Sequence, residues 1–296
     1  MTLPEELEKN IEKLLKPFSQ KELEAASKDL SSRYLEKMSH FTPLHRLIYL
    51  AARMPATLQV LRSVLSHISL PSKIIDCGAG PGTSLWALKD FPVSSVVLVE
   101  KDLEFVKLGK KLAPEVPFSV EWKPQNFLSL KDEGDLILYS YSLNEVPPHE
   151  FEKVIEVGME ETRNFFLVIE PGTPEGFERV RWVRSYLLER GFSLHAPCPH
   201  HERCPMAGED WCHFAVRVSR TSIHRKLKAG SRGFEDEKFS YLIASKLPHT
   251  PEGRRVLRRP IKRKGHTMAT LCTHQGLEQG VFTGKKKKIR WGNLVE

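Results

Sequence analysis

The spacing of apolar positions along the chain changes character once, near residue 73. Over residues 4 to 70, Leu, Ile and Ala recur among charged positions at three- and four-residue intervals, as in "LEKNIEKLLKPF" and "LHRLIYLAARMPATLQVLRSVL". That is the period of helices with one buried face, and it predicts a helical N-terminal region. Beyond residue 73 the apolar residues gather into short runs bounded by turns: "KIIDCG", "SVVLVE", "DLILYSYS" and "NFFLVIEPG". Helix-compatible stretches, 84–90 and 101–113 among them, separate these runs. Strands alternating with helices predict a parallel α/β sheet. After residue 196 the pattern breaks over a cysteine-bearing segment, resumes in a predicted strand, "HFAVRVSR", and continues through a polar stretch ending "GFEDEKFSYLIASK". The last fifty residues hold short strand candidates, "RVLRRPI", "HTMATLCT" and "GVFTG", joined by glycine-rich turns. They predict a small β unit.

Composition adds bounds to this picture. An apolar fraction of 40% with 28% charged residues is that of a folded soluble chain. No run approaches the roughly 18 to 20 apolar residues of a membrane span, and no membrane partner is expected. The start "MTLPEELEKNIEKLL" carries acids where a signal or transit peptide has none, so a cytosol-like compartment is expected. The net charge of +8 is uneven: residues 251–296 hold twelve Lys and Arg against three Glu, so the preceding residues sum to about −1. A basic end on a near-neutral body predicts a polyanionic partner, because Lys and Arg release counterions when they neutralise phosphates. The basic runs lack the apolar helical face of a membrane-surface segment.

"KIIDCGAGPGTSLWAL" reads as a strand, then Asp76, then Gly78, Gly80 and Gly82, then a helix. Glycines at alternate positions leave backbone bare where a ligand must approach, and the next strand ends in Glu100, a carboxylate suited to ribose hydroxyls. The dinucleotide fingerprint needs glycine at 83, which is Thr83, and no Gly-Lys-Ser/Thr follows to make a P-loop. Cys77 reads as a small buried residue rather than a nucleophile. The motif instead resembles motifs I and II of the class I S-adenosylmethionine-dependent methyltransferases. That resemblance implies a donor site at Asp76, Gly78, Gly80, Gly82 and Glu100, with Ser142 at the end of the fourth strand as a further candidate. Catalytic residues are unassigned. The segment "YSYSLNEVPPHE" places Ser142, Asn144 and Glu145 at that strand end without forming the Asn/Asp-Pro-Pro-aromatic motif of base-nitrogen methyltransferases. Glu145 suits a general base or, as expected here, a solvated acid capping the next helix.

"CPHHERCPMAGEDWC" puts Cys198, Cys204 and Cys212 within fifteen positions of a loop. Five cysteines are too few for a secreted disulfide scaffold, so a local cluster favours metal. Spacings of six and eight lack the Cys-x2-4-Cys knuckle of a zinc ribbon, whereas iron-sulfur clusters tolerate looser loops. Cys198 in "APCP" also imitates the nucleophile of cytosine C5 methylation, but two neighbouring cysteines favour a ligand role. Cys272 is a candidate fourth ligand, and His200, His201, His213, His266 or His274 could complete a zinc site instead. Zinc, a cluster and inert thiols all remain open on spacing.

"CPHHERCPMAGEDWCHF", "SRGFEDEKFSYLIASK" and a late cysteine behind "RRPIKRKGH" resemble the methyltransferase-like proteins that associate with the mitochondrial small ribosomal subunit, and their bacterial relatives. The likeness runs over roughly residues 40–296. It implies a [4Fe-4S] cluster on Cys198, Cys204, Cys212 and Cys272, binding of S-adenosylmethionine, and contact with small-subunit ribosomal RNA during assembly, with RNA methylation as the activity if the site is competent. The expected organisation is a helical region (1–70), a class I methyltransferase Rossmann-like domain (71–196), the cysteine loop and end of the core (197–250), and a basic β unit (251–296) joined through the metal cluster. A bacterial-type cytoplasm is the expected compartment, with the mitochondrial matrix as the alternative. "FEDEKFSYL" is expected to cap the sheet, with Phe234, Phe239 and Tyr241 in the core. Arg254, Arg255, Arg258, Arg259, Lys262, Arg263 and Lys264, with Lys285 to Lys288, are expected to form an RNA-facing patch.

Overall fold

The computed structural model describes residues 3–35, 41–206, 210–227, 233–284 and 289–296. Four helices open the chain: α1 (Glu5–Leu15), α2 (Gln20–Leu35), α3 (Pro43–Ala52) and α4 (Met54–Leu65). Thr42 caps α3, its side chain accepting from the His45 N–H while the His45 ring accepts from the Thr42 N–H. Such reciprocal caps satisfy amides that the first turn leaves open. The buried faces of these helices join the core beneath them, so Leu7, Ile48, Leu58 and Leu61 share one apolar cluster with Ile74, Leu98, Leu138 and Leu167 of the sheet.

The sheet follows in order: β1 (Lys73–Cys77), α5 (Thr83–Leu88), β2 (Ser95–Val99), α6 (Leu103–Leu112), β3 (Ser119–Lys123), β4 (Gly134–Ser140), α7 (Phe151–Glu160), β5 (Thr162–Pro171), α8 (Pro174–Glu189) and β6 (Ser193–Ala196). The chain continues through β7 (Phe214–Ser219), α9 (Ser222–Leu227) and β8 (Phe234–Ser245). Proline sets two helix ends: α5 stops at Leu88 short of Pro92, and α6 at Leu112 because Ala113, before Pro114, is extended. Asp102 starts α6 by accepting from the Glu104 and Phe105 amides.

Among the described residues the main sheet has eight strands in the order β3-β2-β1-β4-β5-β8-β6, with β7 also on β8. Strands β1 to β5 pair in parallel, as the alternation of strand and helix predicts. The remainder corrects that expectation, because β8 runs antiparallel to β5 and β6 and β7 run antiparallel to β8. A parallel half wound outward from β1, ending in an inserted antiparallel strand, is the Rossmann-like fold of class I methyltransferases. Alternation along the strands sends Leu136 and Leu138 to the face under α1–α4, and Ile137 and Tyr139 to the face under α7 and α8.

"FEDEKFSYL" is therefore not a cap. It is part of β8, deep in the sheet, with Phe239 and Tyr241 buried and Phe234 exposed beneath the Arg217 guanidinium. Its four consecutive charged residues, Glu235 to Lys238, lie on the end of β8 that pairs with β7 but extends beyond β5, where Glu235, Asp236 and Glu237 meet Arg220, Arg217 and Arg53.

A second sheet closes the chain: β9 (Arg254–Val256), β10 (Ile261–Arg263), β11 (His266–Thr273), β12 (Gly276–Thr283) and β13 (Leu294–Val295). Its order is β10-β11-β9-β13 with β12 on β11, around a small core of Val256, Ala269, Leu271, Ile289 and Val295. Among the described residues no helix is long and apolar enough to cross a membrane.

Gly109 on α6 is packed directly against the Trp122 ring and the Pro81 backbone. A Cβ there would collide with both, and overpacking of this kind costs about 1–3 kcal/mol. Gly109→Ala is expected to lower the denaturant midpoint correspondingly while leaving the far-UV spectrum of the folded protein unchanged.

Candidate functional site

The loop after β1 is held open by three left-handed glycines: Gly78, Gly80 and Gly82 have φ of 79°, 54° and 73°. Gly78 and Ala79 both donate to the Val99 carbonyl, at 2.8 and 3.1 Å, so the loop is bonded to the end of β2. A Cβ on Gly78 would strike Ser142, whose hydroxyl donates to the Cys77 carbonyl at 2.7 Å. Ser142 thus holds the loop from the β4 side. A Cβ on Gly80 would meet nothing within 4 Å. The bare side of Gly80 faces a cleft of about 500 Å³ whose walls include Gly78, Gly80, Glu100, Asp102, Phe127 and Ser142.

Glu100 lies at the mouth of β2, 8% exposed. One carboxylate oxygen accepts from Gly80 N–H and the other from Asp102 N–H, each at 2.8 Å. Each oxygen keeps acceptor capacity for a further donor. Burial raises the Glu100 carboxyl above its ordinary range. Asp76 is buried further; its Oδ2 accepts from Ser84 at 2.5 Å, while its Oδ1 has no partner among the described residues. Burial pushes Asp76 up to about 7. The bare face of Gly80 and the Glu100 carboxylate with its spare lone pairs lie on the cleft and fit the ribose side of S-adenosylmethionine, whereas Asp76 and Gly82, of the expected donor residues, are not among those that line it.

The N-terminal helices roof this cleft with Phe41, Tyr49, Arg53 and Thr57. Arg46 anchors the roof: its guanidinium contacts Asp102 Oδ2 through Nη2 at 2.7 Å and Nε at 3.0 Å, and donates to the Phe41 carbonyl at 2.8 Å. Glu145 belongs to a 3-10 turn over Leu143–Glu145 at the cleft rim, and α7 takes Glu150 as its N-cap. The helix-capping role expected for Glu145 is thereby replaced by a position on the cleft wall. Although exposed by area, its carboxyl sits where surrounding protein withdraws water, which holds its pKa up. Motif reading missed Tyr141, a non-glycine residue at φ 58° whose buried hydroxyl has no hydrogen-bond partner among the described residues. Its hallmark is a backbone conformation, which no residue pattern announces.

The cysteine segment is the excursion between β6 and β7. Cys198, Cys204 and Cys212 from this excursion, and Cys272 from β11, line one cavity of about 40 Å³. A water needs roughly 10–15 Å³ by this measure, so the space exceeds a single water. Phe177, Val180, Met206 and Leu257 supply an apolar wall. Burial raises the thiols of Cys204, Cys212 and Cys272, the last to about 12, and the neighbouring thiols add to the rise. Deprotonating them together is opposed by desolvation and mutual repulsion, which a bound polycation would reverse. Any centre held by these four thiols would have to supply that charge.

Of the five histidines considered as zinc partners, His200 alone lines the cavity among the described residues, with Nε2 at 3.3 Å from Cys272 Sγ. His201 instead accepts from Leu194 N–H at 3.0 Å, and His213 stacks on Trp211. Among the described residues no group of three or more His, Cys, Asp or Glu side chains is gathered around a point that suits a metal ion. Cys77 is fully buried in the sheet, as its reading as an apolar residue expects.

Contacts beside this cavity join the two sheets. Arg255 donates to the Pro197 carbonyl at 2.6 Å, Arg258 pairs with Asp210 and donates to the Trp211 carbonyl, and Trp291 donates to the His213 carbonyl at 3.1 Å. These bonds shrink the expected basic patch. Arg255 is buried, Arg254 pairs with Glu278 at 3.2 Å, and Arg258 is engaged. Arg259, Lys262, Arg263 and Lys264 are exposed, and Lys285 to Lys288 lie outside the described residues.

Comparison with known proteins adds descent to this geometry. The chain is 25% identical to the Rsm22-cox11 tandem protein 2, mitochondrial, of Schizosaccharomyces pombe, over 96% of this chain and 47% of that one. It is 23% identical to the human ribosome assembly protein METTL17, mitochondrial, over 84% of this chain and 62% of that one. The chain thus spans about half to three fifths of the length of these relatives. Both relatives are named as mitochondrial, and neither name supports the expected cytoplasmic placement. Among solved structures, a putative RNA methyltransferase from Pyrococcus horikoshii is 16% identical, covering 66% of this chain and 81% of that chain with a TM-score of 0.43. A family model described as mitochondrial small ribosomal subunit Rsm22 matches residues 43–293, from the helical roof to the last strands, and the chain belongs to the Rsm22 family.

Proposed function

We propose that this chain is a small-subunit assembly factor of the mitochondrial type that binds S-adenosylmethionine in the glycine-loop cleft, holds a [4Fe-4S] cluster, and contacts small-subunit ribosomal RNA. One observation carries the reading: three cysteines of the β6–β7 excursion and Cys272 of the second sheet line a single cavity, so a centre bound there couples the basic C-terminal sheet to the main sheet. The ligands are Cys198, Cys204, Cys212 and Cys272. Four thiols suit either zinc or a cluster, and the spacings of six and eight, without a Cys-x2-4-Cys knuckle, favour the cluster. When bound, the cluster supplies a covalent cross-link between distant segments, and its binding energy becomes folding energy of the C-terminal unit. Arg259, Lys262, Arg263 and Lys264 offer the RNA a positive surface.

In the cleft, Gly80 admits the donor against the backbone and Glu100 receives ribose hydroxyls, while Ser142 fixes the loop. A second reading, methyl transfer to RNA, draws on Tyr141 and Asn144, which line the same cleft and present buried oxygens without a partner among the described residues. Labelled methyl incorporation into purified small-subunit RNA tests it. Retained RNA binding with no incorporation removes the enzymatic reading.

The donor site is tested with Gly80→Ala. Left-handed alanine costs about 1–2 kcal/mol, but its Cβ fits the free protein, so the variant is expected to fold and to lose S-adenosylmethionine affinity at least about tenfold by calorimetry. Equal affinity would remove the loop from the binding site. Anaerobic purification is expected to give brown protein containing iron and acid-labile sulfide, and Cys272→Ser to lose most of both. The same variant is expected to expose residues 251–296 to protease, and unchanged resistance would count against the coupling. RNA affinity is expected to fall steeply between 50 and 200 mM salt, and further in the Lys262→Ala, Arg263→Ala, Lys264→Ala triple variant. A flat salt response would move the contact elsewhere.

A further inference from the structure

Two guanidinium groups lie buried at the four-cysteine cavity without a carboxylate. Arg184, on α8, is 4% exposed; its Nε is 3.4 Å from Cys198 Sγ, and its Nη2 donates to the carbonyls of His200, at 3.2 Å, and Glu202. Arg255, on β9, is equally buried, with Nε on the Pro197 carbonyl at 2.6 Å and Nη1 on the Gly292 carbonyl at 2.8 Å. Both line the cavity, and among the described residues neither is within ion-pair distance of an acid. Neighbouring arginines differ: Arg179 pairs with Glu170, Arg181 with Glu178, Arg254 with Glu278 and Arg258 with Asp210.

Carbonyl oxygens satisfy N–H groups but leave the positive charge uncancelled. An arginine in a protein does not deprotonate, and a buried charge without a counter-ion is strongly unfavourable. The fold nonetheless brings two such charges to one wall, from two different sheets' surroundings. Four thiolates around a cubane cluster in its resting state carry a double negative charge, which these two guanidiniums match in number and oppose in sign.

We propose that Arg184 and Arg255 are the built-in counter-charges of an anionic centre held by the four cysteines, and that Arg184 acts on it directly through Cys198 Sγ. This rests on the cluster reading of the cavity. Arg184 is a positioning residue with two actions: its fork ties the carbonyls of the Cys198–Cys204 loop, and its charge lowers the energy of the more negative, reduced form of the centre. Adding one electron from a reductant raises the negative charge by one, so loss of the guanidinium makes that step harder.

The test compares the intact chain with Arg184→Lys and Arg184→Gln, all prepared anaerobically. Lysine keeps charge and loses the fork; glutamine keeps donors and loses charge. Arg184→Gln is expected to show a midpoint potential shifted to more negative values in a dithionite titration, and iron retention against a chelator reduced about tenfold or more. Arg184→Lys is expected to keep a potential near that of the parent even if its loop is less stable. Parent-like potential and iron retention in Arg184→Gln would overturn the proposal. So would equal loss in both variants with the potential unshifted, which marks a purely structural fork. A parent chain without iron and sulfide would instead overturn the cluster reading itself, and is recognised before any variant is made.

Discussion

The pairing of strand β8 is the constraint on which the rest depends. It takes β5 on one side along Phe239–Ser245, and on the other side β7 over Phe234–Phe239 and β6 over Ile243–Ser245. The chain between β6 and β7 is thereby pinned at both ends to one strand. That turns a long polar excursion into a shaped wall, and the three cysteines it carries acquire fixed positions. Register in a buried sheet is strongly specified, because a one-residue slip would send Phe239 and Tyr241 to the wrong side.

The second sheet reaches the same cavity with modest means of its own. Its core is small, and much of its attachment consists of arginine and tryptophan donors aimed at carbonyls of the cysteine segment. Such bonds are directional but individually worth only about 1 kcal/mol, whereas metal ligation couples far more energy to one geometry. The two sheets therefore communicate through the segment that carries the proposed ligands, rather than through a broad apolar interface.

Much of the glycine-loop cleft was legible in residues. Strand, glycine loop and Glu100 appear in order because each solves a local problem: left-handed backbone, close approach, and an acceptor at a strand end. The antiparallel end of the sheet was not legible, since "FEDEKFSYL" opens with four consecutive charged residues that hide the strand, and its acids are balanced by arginines on other elements. The buried role of Arg255 was hidden for a related reason. Within a basic run every cation looks alike, and only the fold selects one of them to face inward. Cys272 stood apart by eye, but its arrival beside Cys198 depends on strand pairings formed over long sequence separations.

The Arg46–Asp102 contact has a mechanical side. Asp102 starts helix α6 with one oxygen and grips Arg46 of the roof with the other, while its own amide is held by Glu100. One run of hydrogen bonds thereby ties the start of α6, the helix carrying Tyr49 and, through Glu100, the Gly80 backbone, so loss of the Asp102 carboxylate would remove the cap of α6 and the anchor of the roof together.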